Sequence, residues 1–235
     1  MKYLPGAILT AFFLSLSACQ NKAHNSGELT STAISAVEQS LGCAAMAEYR
    51  ERYEVCNHAG YQQMLDRCVH RLKSAAGNAA EEIEFILLEC NLPHAECLPG
   101  NKIIIFSGFL DIIKSDSELA FVLAHELGHA LARHPDKAIE LSQQPGGRKQ
   151  LVKQRLYFEL EADSLALNLM AQACYNPREG VQFWRRYSST PQARLQQELA
   201  GTHPPDETRI WAMEQALSQA MQEYKQACKK NRSFK

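Results

Sequence analysis

The stretch "SELAFVLAHELGHALARH" (117–134) is apolar on nearly every side when wound as a helix, yet its second half carries His125, Glu126 and His129. A helix that is apolar all round has to be buried by other elements. The rest of the chain must therefore be able to wrap it. Polar groups inside such a helix need partners, because unpaired burial is costly. Ser115 and Glu118 have the spacing of a capping box, and Pro135 argues for a stop. The expected helix runs from just after Ser115 to about His134.

The flanking segments can supply the wrapping. "AGYQQMLDRCVHRLKSAAG" places Tyr61, Met64, Leu65, Cys68, Val69 and Leu72 on one helical face, with Gly77 at the end. "EEIEFILLECNLPHAECLPGNKIIIFSG" switches to apolar, β-branched runs broken by Pro93 and Pro99-Gly100, which predicts two or three short strands. Ser107 is placed to cap a short helix, "GFLDII". "PDKAIELSQQPGGRKQ" reads as a partly helical, mobile connection. Then come a long helix in "QLVKQRLYFELEADSLALNLMAQAC", a short one in "PREGVQFWRRYSS" and a final amphipathic one after "GTHPPDETRI". The expected class is α+β, mostly helical, with a small sheet beside the histidine-bearing helix.

Residues four apart share a helix face, one turn apart. His125 and His129 can thus bind one metal ion, with Glu126 about 100° around the helix and within reach of a water beside that metal. The other reading is a core helix with two hydrogen-bonded histidines. A catalytic zinc takes three protein ligands and keeps one open position, so a third ligand should come from elsewhere. "FELEADS" offers Glu159, Glu161 and Asp163. Glu159 and Asp163 are four apart and share a face, whereas Glu161 points away from both. Glu159 is therefore the expected ligand and Asp163 the residue that orients His125 through its second ring nitrogen. Glu161 is expected to be solvated. His24, His58, His70, His94 and His134 are expected to be structural or solvated.

The first twenty residues, "MKYLPGAILTAFFLSLSACQ", have the layout of a secretory signal too short for a comfortable membrane span. Leu16-Ser17-Ala18-Cys19 resembles the bacterial lipobox, in which cleavage leaves a lipid-carrying cysteine. The expected organisation is a signal peptide over 1–18, a lipidated tether over 19–40 starting at Cys19, and one domain over 41–230 that begins with helices in 41–77. Gln20 after the cysteine favours the outer membrane by resemblance to enterobacterial sorting. No later segment has eighteen uninterrupted apolar residues, so membrane contact is expected only through the anchor. Seven further cysteines include Cys90 and Cys97, a candidate bridge across "NLPHAE". The absence of any CxxC pair argues against a cysteine-ligated zinc knuckle. A formal net charge of −1 gives no long-range pull toward nucleic acid.

HELGH, ELEAD and "THPPDETRI", in that order, resemble the gluzincin zinc peptidases of the HtpX and CAAX-prenyl-protease type, and among them the periplasmic, Oma1-like lipoprotein branch. "HAECLPGNKIIIFSGFLDII" resembles that family's lead into the metal helix, and the resemblance covers about residues 60–225. It implies one zinc ion per chain held by His125, His129 and Glu159, with Glu126 as the base. It places His203 near the metal, where it would stabilise an oxyanion or occupy the site at rest. It gives Arg209 a structural pairing with a buried carboxylate. The strand near "HAECLPG" would hold the substrate peptide. The implied function is a zinc endopeptidase acting on misfolded or unassembled envelope proteins. The alternative is an outer-membrane assembly factor with a latent or structural zinc, working with the envelope assembly machinery. The chain departs from the family pattern in three places. The segment after the metal histidines is short and polar, Leu156 replaces a basic residue, and Cys174 stands where glycine is common.

Overall fold

The structure, a computed structural model, describes residues 36–191, 193 and 207–233. The expected leader, Cys19, most of the expected tether and His203 lie outside these. Helix α1 (Ala36–Arg52) already begins inside the segment read as tether. Helix α2 (Ala59–Ala76) follows, with the His58 ring accepting from the Tyr61 amide at its start. Strands β1 (Glu84–Leu88), β2 (Ala95–Leu98) and β3 (Lys102–Phe106) come next. Then come α3 (Ser107–Ile112), α4 (Asp116–Leu131), α5 (His134–Gln143), α6 (Gly147–Gln172), α7 (Pro177–Ser188) and α8 (Glu207–Ser233). The molecule is mostly helical with one small sheet, the expected α+β class.

The sheet order is β1-β3-β2, with β1 parallel and β2 antiparallel to β3. The apolar run "KIIIF" is the central strand, buried on both faces. Alternation sends its side chains to two cores. Ile103 and Ile105 face the main core with α2, α4, α6 and α7. Ile104 and Phe106 pack with Ala45, Met46 and Tyr49 of α1. β1 is flanked by a bridge from Val55, whereas β2 has β3 as its sheet neighbour and lies beside α4.

Helix α4 is buried along almost its whole length, with Leu119, Leu123, Ala124 and Leu127 inaccessible to solvent. Ser115 caps it by accepting from the Glu118 amide. Glu118 accepts from the Lys114 amide (2.8 Å) and from Arg186, one residue off the reciprocal capping-box bond.

Three local expectations are corrected. Helix α4 ends at Leu131, not near His134: Arg133 takes a left-handed conformation (φ 55°), and His134 starts α5. Pro135 acts in the first turn of the new helix, where its missing N–H costs nothing, rather than as a stop signal. Ser107 is the first residue of α3, not its cap. Its hydroxyl instead ties the helix to the Glu89–Cys90 chain, accepting from the Cys90 amide (3.0 Å). Among the described cysteines no disulfide is formed, so Cys90 and Cys97 are unbridged. Cys174 adopts φ 56° just past α6, a left-handed helix end that glycine occupies without strain. The glycine common at this position in the resembled family thus has a conformational reason.

Candidate active site

The site forms where α4 and α6 touch. Gly128, inside HELGH, permits the approach: a Cβ there would lie 3.0 Å from the Ala162 carbonyl oxygen and 3.3 Å from the Leu165 Cβ. Overpacking of this kind costs about 1–3 kcal/mol. Gly128→Val should therefore destabilise the metal-free protein by about that amount in urea denaturation and weaken metal binding in parallel.

The close contact brings His125, His129 and Glu159 together, all buried. The two Nε2 atoms are 3.1 Å apart; that of His125 lies 3.4 Å from Glu159 Oε2 and that of His129 3.4 Å from Glu159 Oε1. Ligands about 2.0–2.1 Å from a tetrahedral zinc sit roughly 3.3 Å from one another, so the cluster matches that spacing. The outer ring atoms sharpen the case. His125 Nδ1 is 2.9 Å from Asp163 Oδ1, so this nitrogen keeps a proton with or without metal, and Nε2 is the nitrogen left to face the cluster. An imidazole lone pair facing a carboxylate is repulsive unless a cation lies between them. The group could hold one metal ion, and its two nitrogens and one oxygen suit zinc.

Without metal, the same field attracts a proton. Burial, the largest influence, lowers the His125 pKa, but hydrogen bonding to Asp163 and Glu159 overcomes it and raises the value to about 9. Zinc must displace that proton. Apparent zinc affinity should therefore rise close to tenfold per pH unit from about pH 7 and flatten near 9, as read by chelator competition across that range.

Behind the ligands stands Arg209 at the start of α8, fully buried. Its Nε and Nη2 donate to the two oxygens of Asp163, each at 2.8 Å, and Nη1 donates to Glu159 Oε2 at 2.7 Å. Burial raises the Asp163 pKa, but Arg209 first and His125 second outweigh it and hold the carboxyl below its usual range. Asp163 is therefore a carboxylate when it faces His125. The Arg209 guanidinium also lies 4.5 Å above the Trp184 ring, which stacks on His125 at 6.3 Å and 21°. Trp184 had no signal in the sequence, because its distance along the chain from either motif follows no helical period.

Glu126 is buried on α4 directly after His125. His203 falls outside the described residues. Two residues read as peripheral are found at the site. His134 is buried, with Nδ1 2.9 Å from His129 Nδ1. Glu161 is not simply solvated: its Oε2 lies 3.1 Å from His134 Nε2. Of the other histidines, His94 is buried near Glu96, and His70 is exposed.

The sequence profile of peptidase family M48 matches residues 60–146 and 149–217, well over half of the chain. The chain belongs to peptidase family M48. M48 peptidases are zinc-dependent, which agrees with the His-His-Glu group. The chain is 29% identical over 197 residues to the mitochondrial metalloendopeptidase OMA1 of Schizosaccharomyces pombe, covering 74% of this chain and 58% of that protein. It is 32% identical over 163 residues to the mitochondrial metalloendopeptidase OMA1 of Saccharomyces cerevisiae, covering 57% and 46%. It is 22% identical over 210 residues to the beta-barrel assembly-enhancing protease of Escherichia coli, covering 74% and 42%. The chain thus spans about half the length of these M48 relatives.

Proposed function

We propose that the protein is a zinc-dependent endopeptidase. The observation that carries this reading is the buried His125–His129–Glu159 cluster, spaced for one tetrahedral ion, with a carboxylate next to it on the same helix. One zinc ion held by these three side chains would supply Lewis-acid polarisation of the scissile carbonyl and acidification of water. Glu126 takes the proton of the attacking water and delivers it to the leaving amine. Asp163 fixes the tautomer of His125, and Arg209 keeps Asp163 ionised. His203, outside the described residues, is assigned the stabilisation of the developing oxyanion from its motif alone. The substrate peptide adds to the sheet at β2, which lies at the edge and beside the metal helix.

Cellular setting is part of the same proposal. The signal-like first residues and the lipobox-like Leu16–Cys19 support a bacterial envelope protein anchored through Cys19. Two relatives named beta-barrel assembly-enhancing protease, from Vibrio cholerae and Escherichia coli, support a bacterial envelope location. The OMA1 relatives are mitochondrial. No helix among the described residues is long and apolar enough to cross a membrane. Misfolded or unassembled envelope proteins are the proposed substrates. The test is zinc content and cleavage of an unfolded protein by the purified chain. One zinc per chain together with cleavage supports the reading, and a folded chain that takes up no zinc removes it. Zinc without cleavage would favour the assembly-factor alternative.

A further inference from the structure

We propose that His134 and Glu161 form a positioning relay that sets the orientation and tautomer of the metal ligand His129. The inference rests on the metallopeptidase reading. His134 is buried, and its ring stacks on Phe158 with centroids 4.3 Å apart and planes 17° from parallel. Its Nδ1 is 2.9 Å from His129 Nδ1, and its Nε2 is 3.1 Å from Glu161 Oε2.

These distances leave one consistent arrangement of protons. A ligating nitrogen carries none, so His129, facing the cluster through Nε2, carries its proton on Nδ1. That Nδ1–H donates to His134 Nδ1, which must then be the bare nitrogen of a neutral imidazole. His134 therefore holds its proton on Nε2 and donates it to the Glu161 carboxylate. Each donor meets an acceptor along the series.

The two metal histidines are thus supported differently. His125 has a carboxylate at its outer nitrogen, itself paired with Arg209. His129 has a neutral ring there, with the carboxylate one step further out. Helix α6 supplies both supports from different sides of one turn, Asp163 toward His125 and Glu161 toward His134. The chain path serves this contact. On a continuous helix, His134 would lie about 140° around from His129. The break at Arg133, which is left-handed and ion-paired through its side chain with Glu38 and Asp136, brings the ring back.

The test is zinc affinity of the purified chain by competition with a chromophoric chelator, with thermal melting of the metal-free proteins alongside. His134→Phe keeps the stack on Phe158 and removes the acceptor. It should bind zinc about 10- to 100-fold more weakly, the usual effect of losing an outer partner of a metal ligand, while melting near the parent. His134→Asn places an amide oxygen near the lost Nδ1 and should recover most of that affinity. Glu161→Ala should lose up to about tenfold. His134→Phe binding as tightly as the parent, or His134→Asn as weakly as His134→Phe, would overturn the relay alone. If His134→Phe does not fold, unchanged affinity in Glu161→Ala overturns it. A parent that binds no zinc overturns the metallopeptidase reading and the relay together.

Discussion

Glu126→Gln is expected to leave one zinc per chain bound and to reduce peptide cleavage by about 10²- to 10⁴-fold, the usual contribution of a general acid–base group. The substitution keeps the shape of the side chain and nearly the same helix propensity, so α4 and its two histidines stay in place. It removes only the ability to accept a proton. An amide beside the metal cannot take the proton of the attacking water, nor return one to the leaving amine. The measurement is zinc content by metal analysis together with hydrolysis of an unfolded protein. Full cleavage by the variant would show that the base lies elsewhere. Loss of zinc would show that Glu126 helps hold the ion rather than acting on water. Cleavage absent from parent and variant alike, with zinc in both, would leave the assembly-factor alternative.

Much of this site was legible because helical periodicity is a strong constraint. His125 and His129 at i and i+4, and Glu159 and Asp163 at i and i+4, meet once the two helices pack, and Gly128 between the histidines allows that packing. The central strand was legible because "KIIIF" has no polar face to expose. The misses share a different origin. Pro135 has two meanings in a sequence, the stop of one helix or the first turn of the next, and only the left-handed Arg133 decides between them. A stop at Pro135 puts His134 at the end of the metal helix, whereas the break returns it to His129. Glu161 was correctly directed away from Glu159 and Asp163. What it meets there depends on where α5 runs, which no periodicity encodes. Trp184 packs on His125 through tertiary contact alone.

The largest stability effect should come from Arg209. It is fully buried and donates to both Asp163 and Glu159. Arg209→Leu would leave two buried carboxylates with their compensating cation removed, and breaking such a network costs about 3–5 kcal/mol. For a chain of this size that corresponds to a fall in melting temperature of roughly 6–20 °C. The effect should depend on metal. Zinc at the cluster would supply positive charge to Glu159 directly, while Asp163 would still lack its guanidinium. Destabilisation should therefore be larger without zinc than with it, a difference that urea denaturation in chelator and in saturating zinc would read. Arg209→Lys should fall between, because a single ammonium cannot reproduce the forked contact with Asp163 together with the bond to Glu159. Equal stability of Arg209→Leu and parent in both conditions would mean that α8 docks on its apolar contacts alone and that the guanidinium contributes nothing net. A loss confined to the zinc-loaded form would place Arg209 in the service of the metal rather than of the fold. The expected order, with the metal-free variant least stable, follows if the two carboxylates are brought together for the metal and depend on Arg209 until it binds.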